Sequence, residues 1–173
     1  VEFALVMMPL FIILLGINDI GVSGRLPEQD ASAEAITDGL ATLIAEAEAR
    51  DVRVFLGTLL PFKGTNPPYY SETAEAKRQA VNTWIRSNTD VAGVIDFDAT
   101  MKDTLDPLTM SPALDSGDHL HPNDAGYEAM GARSTSRGSS RPHARSINSA
   151  NGSRLAGGFR AASARASPRP ASS

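Results

Sequence analysis

Residues 10–19 read LFIILLGIND, and this stretch decides the fold. Its first six residues are apolar without a break, which is typical of a parallel strand covered by helices on both faces. We therefore predict a buried parallel strand over residues 10–15. Gly16 and Asn18 follow at its carboxyl end, where open parallel sheets bind ligands. Asn18 is accordingly a candidate site residue, and a simple turn role is the alternative.

The apolar run extends back to Phe3, so a membrane segment or signal peptide is a second interpretation of residues 3–17. The run falls short of the roughly 20 residues of a spanning helix, and it contains Pro9. Glu2 is the only early charge, whereas a signal peptide begins with basic residues. We therefore expect no stable membrane span, and the cellular compartment stays open.

Helical and strand patterns alternate after this stretch. Apolar residues recur at helical spacing over residues 31–50, a strand pattern covers residues 52–58, and Ser71 is the predicted N-cap of a second helix. A short strand is predicted over residues 93–98, where Asp96 and Asp98 either cap turns or lie beside the site. Alternating helices and strands predict an α/β fold with a parallel sheet.

A second informative stretch, residues 118–127, reads DHLHPNDAGY. A carboxylate three positions before an imidazole, as in Asp118 and His121, can hold one ring nitrogen and orient a general base. Pro122 and the two residues after it predict a helix start, with the helix over residues 124–131. His119 is the alternative base, and we expect it to face solvent or the loop instead.

The pattern His-x-His-x-x-Asp at residues 119–124 also suggests a metal site, but its spacing is one residue off a known metal-ligand arrangement. No dinucleotide or phosphate-binding glycine motif is present. We therefore expect no metal and no organic cofactor.

The motifs at residues 16–19 and 118–122, taken together, resemble the SGNH (GDSL-type) hydrolase family over roughly residues 10–131. The resemblance implies a three-layer α/β/α, flavodoxin-like fold and hydrolysis of small esters, O-acyl or O-acetyl groups, with carbohydrate esters among the candidates. It makes His121 the base, Asp118 its orienting carboxylate and Asn18 an oxyanion donor.

The chain contains no Gly-Asp-Ser, the family's nucleophile motif. The resemblance therefore implies a domain truncated at its N-terminus, beginning near the family's third strand. Ser23, Ser111 and Ser116 are internal substitutes for the nucleophile, and direct attack by water is a further alternative. The family is often secreted or periplasmic in bacteria.

Loss of the nucleophile strand would leave residues 10–15 as an exposed apolar edge, which invites self-association. The alternative to an esterase is thus an inactive fragment that acts, if at all, by binding or by self-association. We predict a loop over residues 63–70, KGTNPPYY, at the carboxyl edge of the sheet, where Gly16 and Asn18 also lie. Gly16, Tyr69 and Tyr70 are the candidate substrate-binding residues, and packing of the loop is the other role for the tyrosines.

Charge divides the chain into two parts. The 16 basic residues fall as eight before residue 132 and eight arginines after it, while all 20 acidic residues lie before it, which gives net charges of −12 and +8. We predict a partial hydrolase domain over residues 1–131 and a disordered tail over residues 132–173. An Arg-rich tail could bind nucleic acid or anionic lipid. The alternative is a shifted reading frame, which would produce such Arg/Ser/Ala-rich text. We favour this alternative and expect no nucleic-acid partner. The chain contains no cysteine, which excludes disulfide bonds.

Overall fold

The computed structural model describes residues 9–22, 26–66 and 69–137. Within these ranges strands and helices alternate, in the order β1 (Leu10–Ile13), α1 (Ile17–Val22), a 3-10 turn (Pro27–Gln29), α2 (Ala33–Glu48), β2 (Arg53–Gly57), α3 (Glu72–Ser87), β3 (Gly93–Ile95), α4 (Phe97–Met101) and α5 (Asp124–Arg137).

The three strands form one parallel sheet in the order β1-β2-β3. Phe11 of β1 is paired with Val54 of β2, and Leu56 of β2 with Val94 of β3. The predicted parallel α/β sheet is confirmed.

Helices cover both faces of the central strand β2, because successive side chains of a strand point to opposite faces. Val54 and Leu56 belong to the main core cluster, which includes the buried residues of α2 and α3. Phe55 points the other way and packs with Phe97 of α4 and Met130 of α5. The architecture is therefore three layers, α/β/α, as predicted.

Helix α3 begins where the sequence predicts it, with Ser71 as its N-cap, and α2 begins at Ala33, two residues after the predicted start. Ser32 accepts a hydrogen bond from the N–H of Ala35 at 3.1 Å, and Ser71 accepts one from Ala74 at 3.1 Å. Each serine thereby satisfies one of the N–H groups that a helix start leaves without a partner.

Strand β1 forms as predicted but is not buried. The side chains of Leu10, Phe11 and Ile12 are 48%, 58% and 45% exposed. The prediction of a buried strand is wrong because β1 is an edge strand among the described residues, paired with β2 on one side, and an open groove separates its side chains from the end of α2. The prediction of an exposed apolar edge is confirmed. None of the helices in the described ranges is long and apolar enough to cross a membrane.

Two short helices were not predicted. α1 forms where the sequence suggested only a turn, and α4 begins inside the predicted strand 93–98. β3 stops at Ile95 because Asp96 accepts a hydrogen bond from the N–H of Ala99 at 3.1 Å and so caps α4. The alternative of a capping role for Asp96 is the correct one.

Helix α5 begins at Asp124, as predicted, and continues past the predicted end at Gly131 to Arg137. Disorder from Ala132 onward is therefore wrong for the first part of the tail. The rest of the predicted tail, the start of the chain through residue 8, and Ser23 lie outside the described residues.

Candidate active site

Parallel strands bring their carboxyl ends to one edge of the sheet, and three segments meet there. Asn18 follows β1, residues 58–71 follow β2, and Asp96 follows β3. We call residues 58–71 the β2–α3 loop; Pro67 and Pro68 within it are outside the described residues.

Gly16 makes the turn between β1 and α1. Its φ of +123° is a conformation that side-chain-bearing residues rarely adopt, and a Cβ there would lie 3.1 Å from a methyl carbon of Ile36. Gly16 is buried, whereas Asn18 in the first turn of α1 is exposed. The turn thus presents the Asn18 carboxamide to solvent, and substrate contact by Gly16 stays a prediction.

Tyr69 is tied to Asn18. The Tyr69 hydroxyl donates to Asn18 Oδ1 at 2.6 Å, and its ring meets Phe62 edge-on. The neighbouring Tyr70 ring also packs on Phe62, and its hydroxyl oxygen is buried without a hydrogen-bond partner among the described residues. Both tyrosines pack the loop, and their contact with a substrate stays a prediction.

Asp118 and His121 are joined as a pair. Asp118 Oδ2 lies 2.6 Å from His121 Nδ1, and Asp118 Oδ1 accepts from the N–H groups of Leu120 and His121, both at 2.8 Å. The backbone N–H of His121, and then its ring, hold the pKa of the Asp118 carboxyl well below its usual range. The His121 side chain is 64% exposed. An ionised carboxylate therefore faces one ring nitrogen while the imidazole is open to solvent.

His119 forms a second carboxylate pair that the sequence did not suggest. Its Nδ1 lies 2.7 Å from Asp115 Oδ2, and only 5% of the Asp115 side chain is exposed. Asp115 Oδ1 also accepts from the N–H groups of Gly117 and His119. His119 has a φ of +61°, so these bonds hold an unfavourable backbone conformation in the turn. The His119 side chain is 47% exposed and lies against Gly64 of the β2–α3 loop, as predicted, and its pairing with Asp115 is the additional feature.

The β2–α3 loop contacts both halves of the candidate site. At Tyr69 it is bonded to Asn18, and at Gly64 it meets the ring of His119, two residues before His121. The N–H of Lys63 also donates to the carbonyl of Leu108 at 3.1 Å. The loop therefore links the Asn18 helix to the turn that carries the Asp118–His121 pair.

Two buried side chains of α3 anchor the base of this loop at Leu59. Asn82 accepts from the Leu59 N–H at 2.7 Å and donates to its carbonyl at 2.9 Å, and Arg78 donates to the same carbonyl at 2.9 Å. Neither residue was singled out in the sequence, because on a predicted helix both look like solvated polar positions.

The charge of the buried Arg78 is matched by carboxylates. Arg78 binds Glu75 at 2.7 Å and Asp98 at 2.6 Å, and Arg86 binds Asp96 at 2.9 Å and Asp98 at 2.7 Å. Burial raises the pKa of Asp96. Hydrogen bonds from Arg86 and from other groups beside Asp96 outweigh the effect of burial and lower this pKa to about 2. Asp96 and Asp98 therefore hold α3 against the ends of the sheet.

Attack by Ser111 or by water stays a prediction, whereas the geometry bears on Ser116 and on the metal site. The Ser116 hydroxyl donates to Asp118 Oδ1 at 3.0 Å, which directs its proton toward the carboxylate and away from His121. Ser23 is outside the described residues. In the part of the chain that the structure describes, no three His, Asp or Glu side chains are grouped as metal ligands. His119 and His121 are each paired with a separate aspartate.

The structure combines an α/β/α fold with an oriented histidine. An exposed asparagine follows a strand at the carboxyl edge of its sheet. These features suit ester hydrolysis. Residues 7–129 match the model of the GDSL-like lipase/acylhydrolase family. The chain therefore belongs to this family. None of the curated proteins matches it.

Several solved structures share the fold of this chain. A GDSL-like lipase from Bacteroides thetaiotaomicron has a TM-score of 0.60 at 21% identity, over 73% of this chain and 60% of that one. A catalytic mutant of an acetylxylan esterase from Geobacillus stearothermophilus has a TM-score of 0.55 at 23% identity, over 74% of this chain and 58% of that one. A putative acylhydrolase from Bacteroides fragilis has a TM-score of 0.54 at 18% identity, over 74% of this chain and 62% of that one. The chain thus spans about 60% of the length of the first of these structures.

Proposed function

We propose that this chain carries the acid–base and oxyanion-binding part of a serine-esterase site for small acyl and acetyl esters. The observation that carries the proposal is the 2.6 Å contact between Asp118 and His121, with an imidazole that is open to solvent. Family membership and the folds of the solved relatives support the same reaction class. O-acetyl groups on carbohydrates are the substrates to test first.

In the proposed reaction His121 Nε2 takes the proton of an attacking hydroxyl, and a bond forms from that oxygen to the ester carbon. The carbonyl oxygen becomes negative, and the Asn18 amide donates to it. The alcohol then leaves with the proton from Nε2, and water repeats the sequence on the acyl group. Asp118 holds the ring and stabilises its protonated form. The hydroxyl belongs to a serine that no Gly-Asp-Ser motif identifies in these 173 residues.

The proposal is tested by acetate release from p-nitrophenyl acetate and acetylated xylan. The assay uses the 173-residue chain and the chain preceded by any residues that its coding DNA places before Val1. We expect His121→Ala to abolish turnover and Asn18→Ala to lower it by about 10² to 10³. His119→Ala is the matched control for the base. A larger loss for His119→Ala than for His121→Ala would overturn the assignment, and full activity in both would refute the proposed function.

The exposed edge supports a second candidate, self-association of the chain through β1. Among the described strands β1 pairs with β2 alone. It lies beside an apolar groove of about 590 Å³, which is lined by residues 11–15 and by the carboxyl half of α2. Such an edge is a template for pairing with another chain. Light scattering of the wild type and of Phe11→Lys tests this: we expect the variant to be smaller, and a monomeric wild type would refute the candidate.

A further inference from the structure

We propose that Tyr69 is a positioning residue that orients the Asn18 carboxamide, so that its nitrogen is presented to the ester oxyanion. The inference rests on the proposed esterase function, in which Asn18 is the oxyanion donor. The sequence suggested substrate stacking for Tyr69, but the structure places its hydroxyl on Asn18 instead.

The length of the hydrogen bond decides which atom of the carboxamide faces Tyr69. The hydroxyl lies 2.6 Å from Asn18 Oδ1 and 3.3 Å from the Ile17 carbonyl oxygen. Bonds from O–H to oxygen are typically about 2.7–2.8 Å, whereas those from N–H are about 2.9–3.0 Å. A phenol has one proton to donate, and the shorter contact takes it. Oδ1 therefore faces Tyr69, and Nδ2 lies on the other side of the carboxamide.

This orientation matters because the two ends of an asparagine amide act oppositely on an anion. Nδ2 donates two hydrogen bonds and stabilises negative charge, whereas Oδ1 in the same place would repel it. Within residues 9–22, 26–66 and 69–137, Asn18 Nδ2 has no hydrogen-bond partner, so Tyr69 alone selects the orientation there. A donor held in place before the reaction needs no reorganisation when the oxyanion forms.

The Tyr69 ring is seated on the helix that carries Asn18. A Cβ on Gly21 of α1 would lie 2.2 Å from the Tyr69 ring, so the ring occupies the space that any side chain at residue 21 would fill. On its other side the ring meets Phe62 at 6.3 Å between centroids and 83° between planes. Packing on α1 thus fixes the hydroxyl relative to Asn18, because both are held by the same helix.

A first test needs no catalysis. In the ¹⁵N-labelled 173-residue chain, the side-chain amide resonance of Asn18 is assigned with Asn18→Ala and followed in Tyr69→Phe, which keeps the ring and removes the hydroxyl. Tyr70→Phe is the matched control, since its ring packs on the same Phe62 and its hydroxyl has no partner among the described residues. We expect the resonance to move in Tyr69→Phe and to stay in Tyr70→Phe. An unmoved resonance in Tyr69→Phe, or equal movement in both, would overturn the inference.

A second test asks whether Tyr69 acts on turnover through Asn18. Removing an oxyanion donor typically lowers turnover by about 10² to 10³. Loss of the group that only orients the donor should cost less, so we expect Tyr69→Phe to lower kcat by about 10- to 100-fold with KM and Tm nearly unchanged. In the Asn18→Ala background the same substitution should have no further effect. Equal loss of kcat in both backgrounds would contradict the inference.

His121→Ala separates failure of the inference from failure of the proposed function. If His121→Ala is inactive while Tyr69→Phe keeps full kcat, the positioning role is wrong and the esterase proposal stands. If His121→Ala and His119→Ala both keep full activity, the esterase proposal fails and the role of Tyr69 in turnover fails with it.

Discussion

Replacing Gly64 by alanine tests the contact between the β2–α3 loop and the turn that carries the Asp118–His121 pair. Gly64 has a φ of +104°, and a Cβ there would lie 2.9 Å from Cγ of His119. Gly117 is a matched control in the same region. Its φ is +100°, and a Cβ there would meet nothing within 4 Å. The two substitutions therefore share a backbone penalty and differ in one steric contact.

The expected magnitudes follow from these two terms. An alanine held at such a φ costs roughly 1–3 kcal/mol. At Gly64 the new methyl also approaches closer than the roughly 3.5–4.0 Å of a normal carbon contact, so the His119 ring must move. Moving it breaks the 2.7 Å contact with Asp115, and a hydrogen bond of this kind contributes about 0.5–1.5 kcal/mol. Gly64→Ala should thus destabilise the chain by about 1 kcal/mol more than Gly117→Ala.

Urea unfolding of both glycine variants, of His119→Ala and of the double variant Gly64→Ala/His119→Ala measures the coupling. With the imidazole removed, the Gly64→Ala penalty should fall by about 1 kcal/mol to that of Gly117→Ala. Additivity within roughly 0.3–0.5 kcal/mol would mean that the two sites are independent. That result would refute the contact as the link between the loop and the site.

Two further predictions concern α3 and the groups that it holds. Asn82→Leu should destabilise the chain by about 2–3 kcal/mol in urea unfolding, because it leaves the buried Leu59 N–H without an acceptor; a loss below about 0.5 kcal/mol would contradict this anchoring. The pKa of Asp96 is lowered from 3.8 to about 2, so its contribution to stability is present above pH 3.8 and is lost as the pH falls toward 2. Unfolding free energies measured across this window should fall less steeply in Arg86→Gln than in the wild type, and identical slopes would refute the pairing.

Much of the fold could be predicted because its signals are local. The serine caps before α2 and α3 and the helical spacing of their apolar residues depend on near neighbours in the chain. The Asp118–His121 pair was predictable for the same reason, since its members are three positions apart and one turn brings them together. α4 was missed because a single side chain, Asp96, ends the strand and starts a helix within the same apolar segment.

The sequence by itself determined the order of the strands and of the three long helices, the family and the oriented histidine, since short-range spacing and side-chain type suffice for these. Only the tertiary structure decided the environment of each group. It placed the apolar β1 at an exposed edge, paired the Tyr69 hydroxyl with Asn18 and paired Arg78 with Asp98 in the interior. The physical reason is distance along the chain: hydrogen bonds and burial between residues about 20 to 50 positions apart depend on how the helices pack on the sheet, which no local pattern records.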